Sequence, residues 1–159
     1  MKQPLIILSL LVLFAVSCSG PGGVDPIRLE GSAMLPALKD GDMILIKRDF
    51  EKLERGDVVI FYFPQDQSMS YVKRIIGLPG ETVEIREGEV VINGTTLREP
   101  YVAPQFNQSK RSLAEITLTP DSYFVMGDNR DNSSDSRVWG PLKKVFIYGK
   151  STRKYSGTD

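Results

Sequence analysis

Histidine is absent from this 159-residue chain, and cysteine occurs once. The first absence excludes Ser-His-Asp and Cys-His catalysis; the second leaves no thiolate cluster for a zinc site. Acid–base chemistry must fall to Lys, Asp, Glu or Tyr, and no metal or cofactor is expected. Excess charge of either sign is also missing. Twenty Lys and Arg balance twenty Asp and Glu, so the chain offers no basic footprint for nucleic acid. Helical periodicity is scarce. Only FEKLE, residues 50–54, is a candidate, and so short a segment does not hold a helix without packing. Long apolar runs are lacking as well: Leu5 to Val16 would cover about 18 Å as a helix, against a hydrocarbon core of about 30 Å.

That short run nevertheless has a recognisable build. Lys2 precedes it, and Ala15 and Ser17 close it, which is the charged start, apolar centre and small-residue end of a secretory signal. AVSC followed by Ser, Gly and Pro resembles the lipobox of bacterial lipoproteins, which makes Cys18 the expected lipidated first residue of an exported, membrane-associated protein on the outer side of a bacterial membrane. The organisation read from this is a signal over residues 1–17, a flexible spacer over 18–26, one domain over 27–151 and a polar tail over 152–159. A composition of 41% apolar and 25% charged residues suits a single modest core.

Past the spacer the pattern is that of strands. MILIK, DVVIFYF, TVEIR, EVVIN and YFVMG are short runs rich in β-branched and aromatic residues, separated by KDGD, ERGD, LPGE, REGE and NGT. A mainly β fold of antiparallel strands and hairpins follows. Glu87-Gly88 and Asn93-Gly94 are the expected tight turns, which need positive φ. Residues 103–115 are polar and aperiodic and read as a loop or reduced insertion.

Three segments carry chemistry: GSAMLPALKDGD at 31–42, YVKRIIGLPGE at 71–81 and GDNRDNSSDSRVWGPL at 127–142. In the second, Lys73 stands among Val72, Ile75 and Ile76, and a lysine desolvated by such neighbours loses proton affinity, the condition for a base near neutral pH. The bland alternative is a lysine with its head in solvent. In the third, the density of Asp, Asn, Arg and Ser suits either a solvated turn or a buried polar network in which Asp135 and Arg137 pair and Ser133 hydrogen-bonds.

Taken together, the three segments resemble bacterial signal peptidase I, a serine–lysine endopeptidase that removes leader peptides, over roughly residues 31–149. The family's base segment, Val-Lys-Arg-Ile-Ile-Gly-x-Pro-Gly, is met throughout by Val72 to Gly80, and its Gly-Asp-Asn-Arg-Asp-Asn-Ser-x-Asp-Ser-Arg by Gly127 to Arg137. The resemblance implies a β-rich fold, a general base at Lys73, an orienting role for Ser133 and a supporting ion pair of Asp135 with Arg137. It also implies a membrane surface as a partner, and extended peptides with small residues near the cut as ligands. Gly31, Met34 and Pro36 match the nucleophile loop.

Where that loop has serine, this chain has Ala33. An alanine cannot attack, so the expectation is a catalytically silent or severely impaired member that binds signal-peptide-like segments. Two alternatives stand beside it: an active peptidase using Ser32 with Lys73, and a structural or partner-binding envelope module. Ser70 forms SYVK with Lys73, like the Ser-x-x-Lys of penicillin-binding proteins, but on a strand residues i and i+3 face opposite ways. Ser133 and Ser134 are the remaining hydroxyls in the third segment.

Overall fold

The computed structural model describes residues 23–153. Cys18 and the leader lie outside the described residues, as does most of the expected tail. Eleven strands are present among the described residues: β1 (Val24–Arg28), β2 (Met43–Lys47), β3 (Val58–Phe63), β4 (Asp66–Gly77), β5 (Thr82–Arg86), β6 (Glu89–Ile92), β7 (Thr95–Thr96), β8 (Leu113–Thr117), β9 (Ser122–Met126), β10 (Leu142–Lys143) and β11 (Ile147–Ser151). One α-helical turn, α1 (Ser136–Trp139), and two 3-10 turns at Pro104–Phe106 and Lys144–Phe146 join them among the described residues. Seven strands form one sheet in the order β1-β2-β11-β3-β4-β9-β10, and four form a second in the order β7-β6-β5-β8. Every pairing is antiparallel.

The continuous apolar runs are strands covered on both faces, and their alternation divides the core. In β9, Phe124 and Met126 pack with Ile76, Val83 and Val90 beneath the small sheet, while Tyr123 and Val125 pack with Val59, Phe61 and Ile75 on the other side. In β3, Val58 and Ile60 join a third cluster with Leu29, Met34, Leu38, Ile44 and Ile46. Met34 and Leu38 thereby anchor the 31–42 loop on the large sheet.

The two hairpin turns form as read. Glu87 and Gly88 take φ 47° and 86°, Asn93 and Gly94 take 49° and 77°, the double positive φ of a two-residue turn that follows the strands' twist. Three local expectations are corrected. FEKLE is not helical: Asp57 accepts a hydrogen bond from the Glu54 N–H at 2.7 Å, bending the chain into a turn, and Leu53 drops into the core. The end of the 103–115 stretch is strand β8, a half-exposed edge strand of the small sheet. And β1 starts at Val24, so the last residues of the expected spacer are already paired with β2.

Candidate functional site

The 31–42 loop and the 127–137 segment fold against one another. Asn129 donates its backbone N–H to the Ala33 carbonyl at 3.0 Å and its side-chain amide to the Ser32 carbonyl at 3.1 Å. Asn132 donates to the Ser32 hydroxyl at 2.9 Å. Gly127 completes the grip, because any Cβ there would collide with the Ala33 carbonyl oxygen and with Ser133. Gly31, at φ +88°, opens the loop, and its N–H donates to Asp40 at 2.7 Å. Met34 is buried below, and the Leu35–Pro36 peptide bond is cis.

Lys73 lies on β4 opposite Val59 of β3, 5% exposed. Its ammonium donates to the Val72 carbonyl at 3.1 Å and sits 5.1 Å from the centre of the Tyr71 ring. Burial pushes the Lys73 ammonium down to about 8, and Arg137 adds to the lowering while Asp135 and Asp128 oppose it. The desolvated-lysine reading therefore fits better than the solvent-facing one. Ala33 and Lys73 line one cleft of about 590 Å³, together with Ser32, Ser70, Asn132 and Ser134.

The polar segment is a network. Arg137 holds Asp135 through two contacts of 2.8 Å each, and Gly127 N–H donates to the same carboxylate at 3.0 Å. Burial alone would raise the Asp135 carboxyl, but Arg137, Gly127 and Ser133 together hold it below the usual carboxylate range. Arg74, the residue after Lys73, pairs with Asp128 at 2.8 and 2.6 Å, both side chains buried. Glu99 takes both ends of Arg130, at 2.9 and 2.6 Å. Since Arg74 belongs to β4, its pair with Asp128 lashes the strand carrying Lys73 to the segment that grips Ala33.

The family profile for signal peptidase, peptidase S26, matches residues 3–155. The chain belongs to the signal peptidase S26 family. It is 33% identical over 162 residues to a probable signal peptidase I-1 of Synechocystis, an alignment covering 94% of this chain and 76% of that one. It is 40% identical over 123 residues to a signal peptidase I of Bacillus amyloliquefaciens, covering 71% of this chain and 63% of its relative. The chain thus spans less than two thirds of that relative's length. A signal peptidase I of Enterococcus faecalis solved by crystallography superimposes with a TM-score of 0.57 at 36% identity, over 64% of this chain and 97% of that one.

Within this S26 chain, the residues singled out from sequence are brought together unevenly. Asp135 and Arg137 pair as read. Ser133 neighbours Ala33 across Gly127, yet its buried hydroxyl has no hydrogen-bond partner of normal geometry and makes no bond to Lys73. The Ser70 hydroxyl oxygen accepts a hydrogen bond from the Tyr148 hydroxyl at 2.9 Å, and Ser70 lies with Lys73 on a strand rather than a helix. Sequence reasoning did not single out Asn129 and Asn132. Both lie inside the matched 127–137 motif, which was the available signal, but their contacts with Ser32 bridge some hundred residues.

Proposed function

We propose that this signal peptidase-like protein binds extended, leader-peptide-like segments in the Ala33–Lys73 cleft and leaves them uncut. The observation that carries the reading is the state of the hydroxyls. Residue 33 has none, and the Ser32 hydroxyl is held by Asn132 with no hydrogen bond to Lys73 among the described residues. A lysine base with no hydroxyl to deprotonate generates no nucleophile. Apolar Leu29, Met34 and Ile60 beside backbone of the 31–34 loop suit a strand-like peptide with small side chains.

A fluorescent peptide spanning a leader cleavage site tests this. Binding with the peptide recovered intact is expected. Cleavage by the native protein that disappears in Ser32→Ala would instead establish the moved-serine enzyme, and no binding at all would favour the structural module.

We place the domain at a membrane surface. The outward side of β1 and β2 exposes Val24, Met43 and Leu45, at 40%, 59% and 52%, and Val24 follows Cys18 by six residues. Six residues from Cys18 to Val24 reach about 20 Å at full extension, so a lipid on Cys18 would hold this apolar side at the bilayer. Mass spectrometry of membrane-extracted protein is expected to find a diacylated Cys18 at the amino terminus. An unmodified Cys18, or retention of residues 1–17, would remove the lipid anchor from the account.

A further inference from the structure

The two carboxylates whose charge reaches Lys73 are each taken by an arginine: Asp128 by Arg74 and Asp135 by Arg137. Lys73 forms no ion pair among the described residues. Its ammonium has three donors, and one finds a partner, the Val72 carbonyl. The Ser133 hydroxyl, packed against Gly127, is buried and has no hydrogen bond of normal geometry. A buried cation with neither counter-ion nor full hydrogen bonding is costly to keep. Yet this one lines an open cleft together with Ala33, which brings no hydroxyl to it.

We infer that the cleft is a receptor for the free carboxylate end of a peptide, with Lys73 as the counter-ion and the space beside Ala33 admitting a carboxylate oxygen. This rests on the peptide-binding reading above and names its ligand: the cleaved leader, ending in a small residue, rather than the uncut precursor. An internal peptide bond brings no charge to Lys73, whereas a chain terminus brings one on a backbone that already fits an extended cleft. Charge-assisted hydrogen bonds to a buried partner support a preference of about ten- to a hundredfold for the acid.

The test compares three labelled peptides by calorimetry: a leader segment ending at its cut site as a free acid, the same segment as an amide, and the segment continued four residues past the cut. On the native protein the acid is expected to bind at least tenfold more tightly than the other two. In Lys73→Met, checked for folding by circular dichroism, the acid and amide should bind equally. If the native protein binds all three equally, the carboxylate proposal falls while the peptide-binding reading survives. If it binds none, both fall. A preference for the acid that persists in folded Lys73→Met would overturn Lys73 as the counter-ion, and should that variant not fold, the acid-to-amide ratio on the native protein decides alone.

Discussion

Ala33→Ser is expected to make the cleft a peptidase. The new Oγ would stand on a loop fixed from three sides, by Asn129 on the carbonyls of residues 32 and 33, by Met34 in the core and by the bare Cα of Gly127. It would share the cleft with a lysine whose proton affinity burial has lowered to about 8. The step is then balanced by groups at hand. Oγ attacks the peptide carbonyl carbon as its proton passes to neutral Lys73, the amine leaves with that proton, and water hydrolyses the ester, returning the serine hydroxyl. Removing the nucleophile from a serine protease costs on the order of 10⁶ in rate, with binding and oxyanion contacts preserving only a remnant. Restoring it should give at least a gain of about 10³ over the native background.

The pH dependence has a definite sign. Only neutral Lys73 accepts the proton, so activity should climb as pH rises through about 8 and level above it. Native protein, Ala33→Ser and Ala33→Ser with Lys73→Met would be compared on one leader-peptide substrate by mass spectrometry. An inactive but folded Ala33→Ser would mean that the cleft lacks more than a hydroxyl. Activity surviving Lys73→Met would remove the lysine from the mechanism.

The hairpins of the small sheet were legible because their strands are punctuated by turn residues whose chemistry is local, as at Glu87-Gly88 and Asn93-Gly94. What escaped was set by distant partners. FEKLE has helix-forming residues, but Asp57 captures the Glu54 N–H and Leu53 is drawn into a core built from β3, β9 and β11. β8 has no alternation because it is an edge strand, half-exposed on both faces. The motifs located Lys73, Ser133, Asp135 and Arg137 by resemblance. They could not tell that the Ser32 hydroxyl would be held by Asn132, or that Lys73 would be left without a carboxylate, since both depend on contacts far apart in the chain.

Asp128→Leu should be among the most destabilising single changes in the domain, by about 3–5 kcal/mol. Asp128 and Arg74 are both buried and joined by two contacts, and Arg74 also donates to the Gly56 carbonyl at 2.9 Å and lies 4.0 Å over the Tyr101 ring. Burial pushes the Asp128 carboxyl up while Arg74 pulls it down, so the pair holds its charges only by mutual support. Taking away the carboxylate leaves a guanidinium in the core with its main counter-charge gone. A domain of this size has about 5–15 kcal/mol in total, so the loss is a large share of it. Replacing both residues, with Arg74→Met and Asp128→Leu, should cost less than the single change, because no charge is left stranded; the freed Gly56 carbonyl keeps it from being neutral. Urea denaturation of the four proteins completes the cycle. A single-variant loss below about 1 kcal/mol would show that water or rearrangement replaces the pair. A loss that the double variant does not relieve would place the defect in packing rather than charge. Because Arg74 follows Lys73 and Asp128 follows Gly127, Asp128→Leu should also loosen the registry between β4 and the Ala33 loop, and in the Ala33→Ser background it should reduce cleavage even where the protein remains folded.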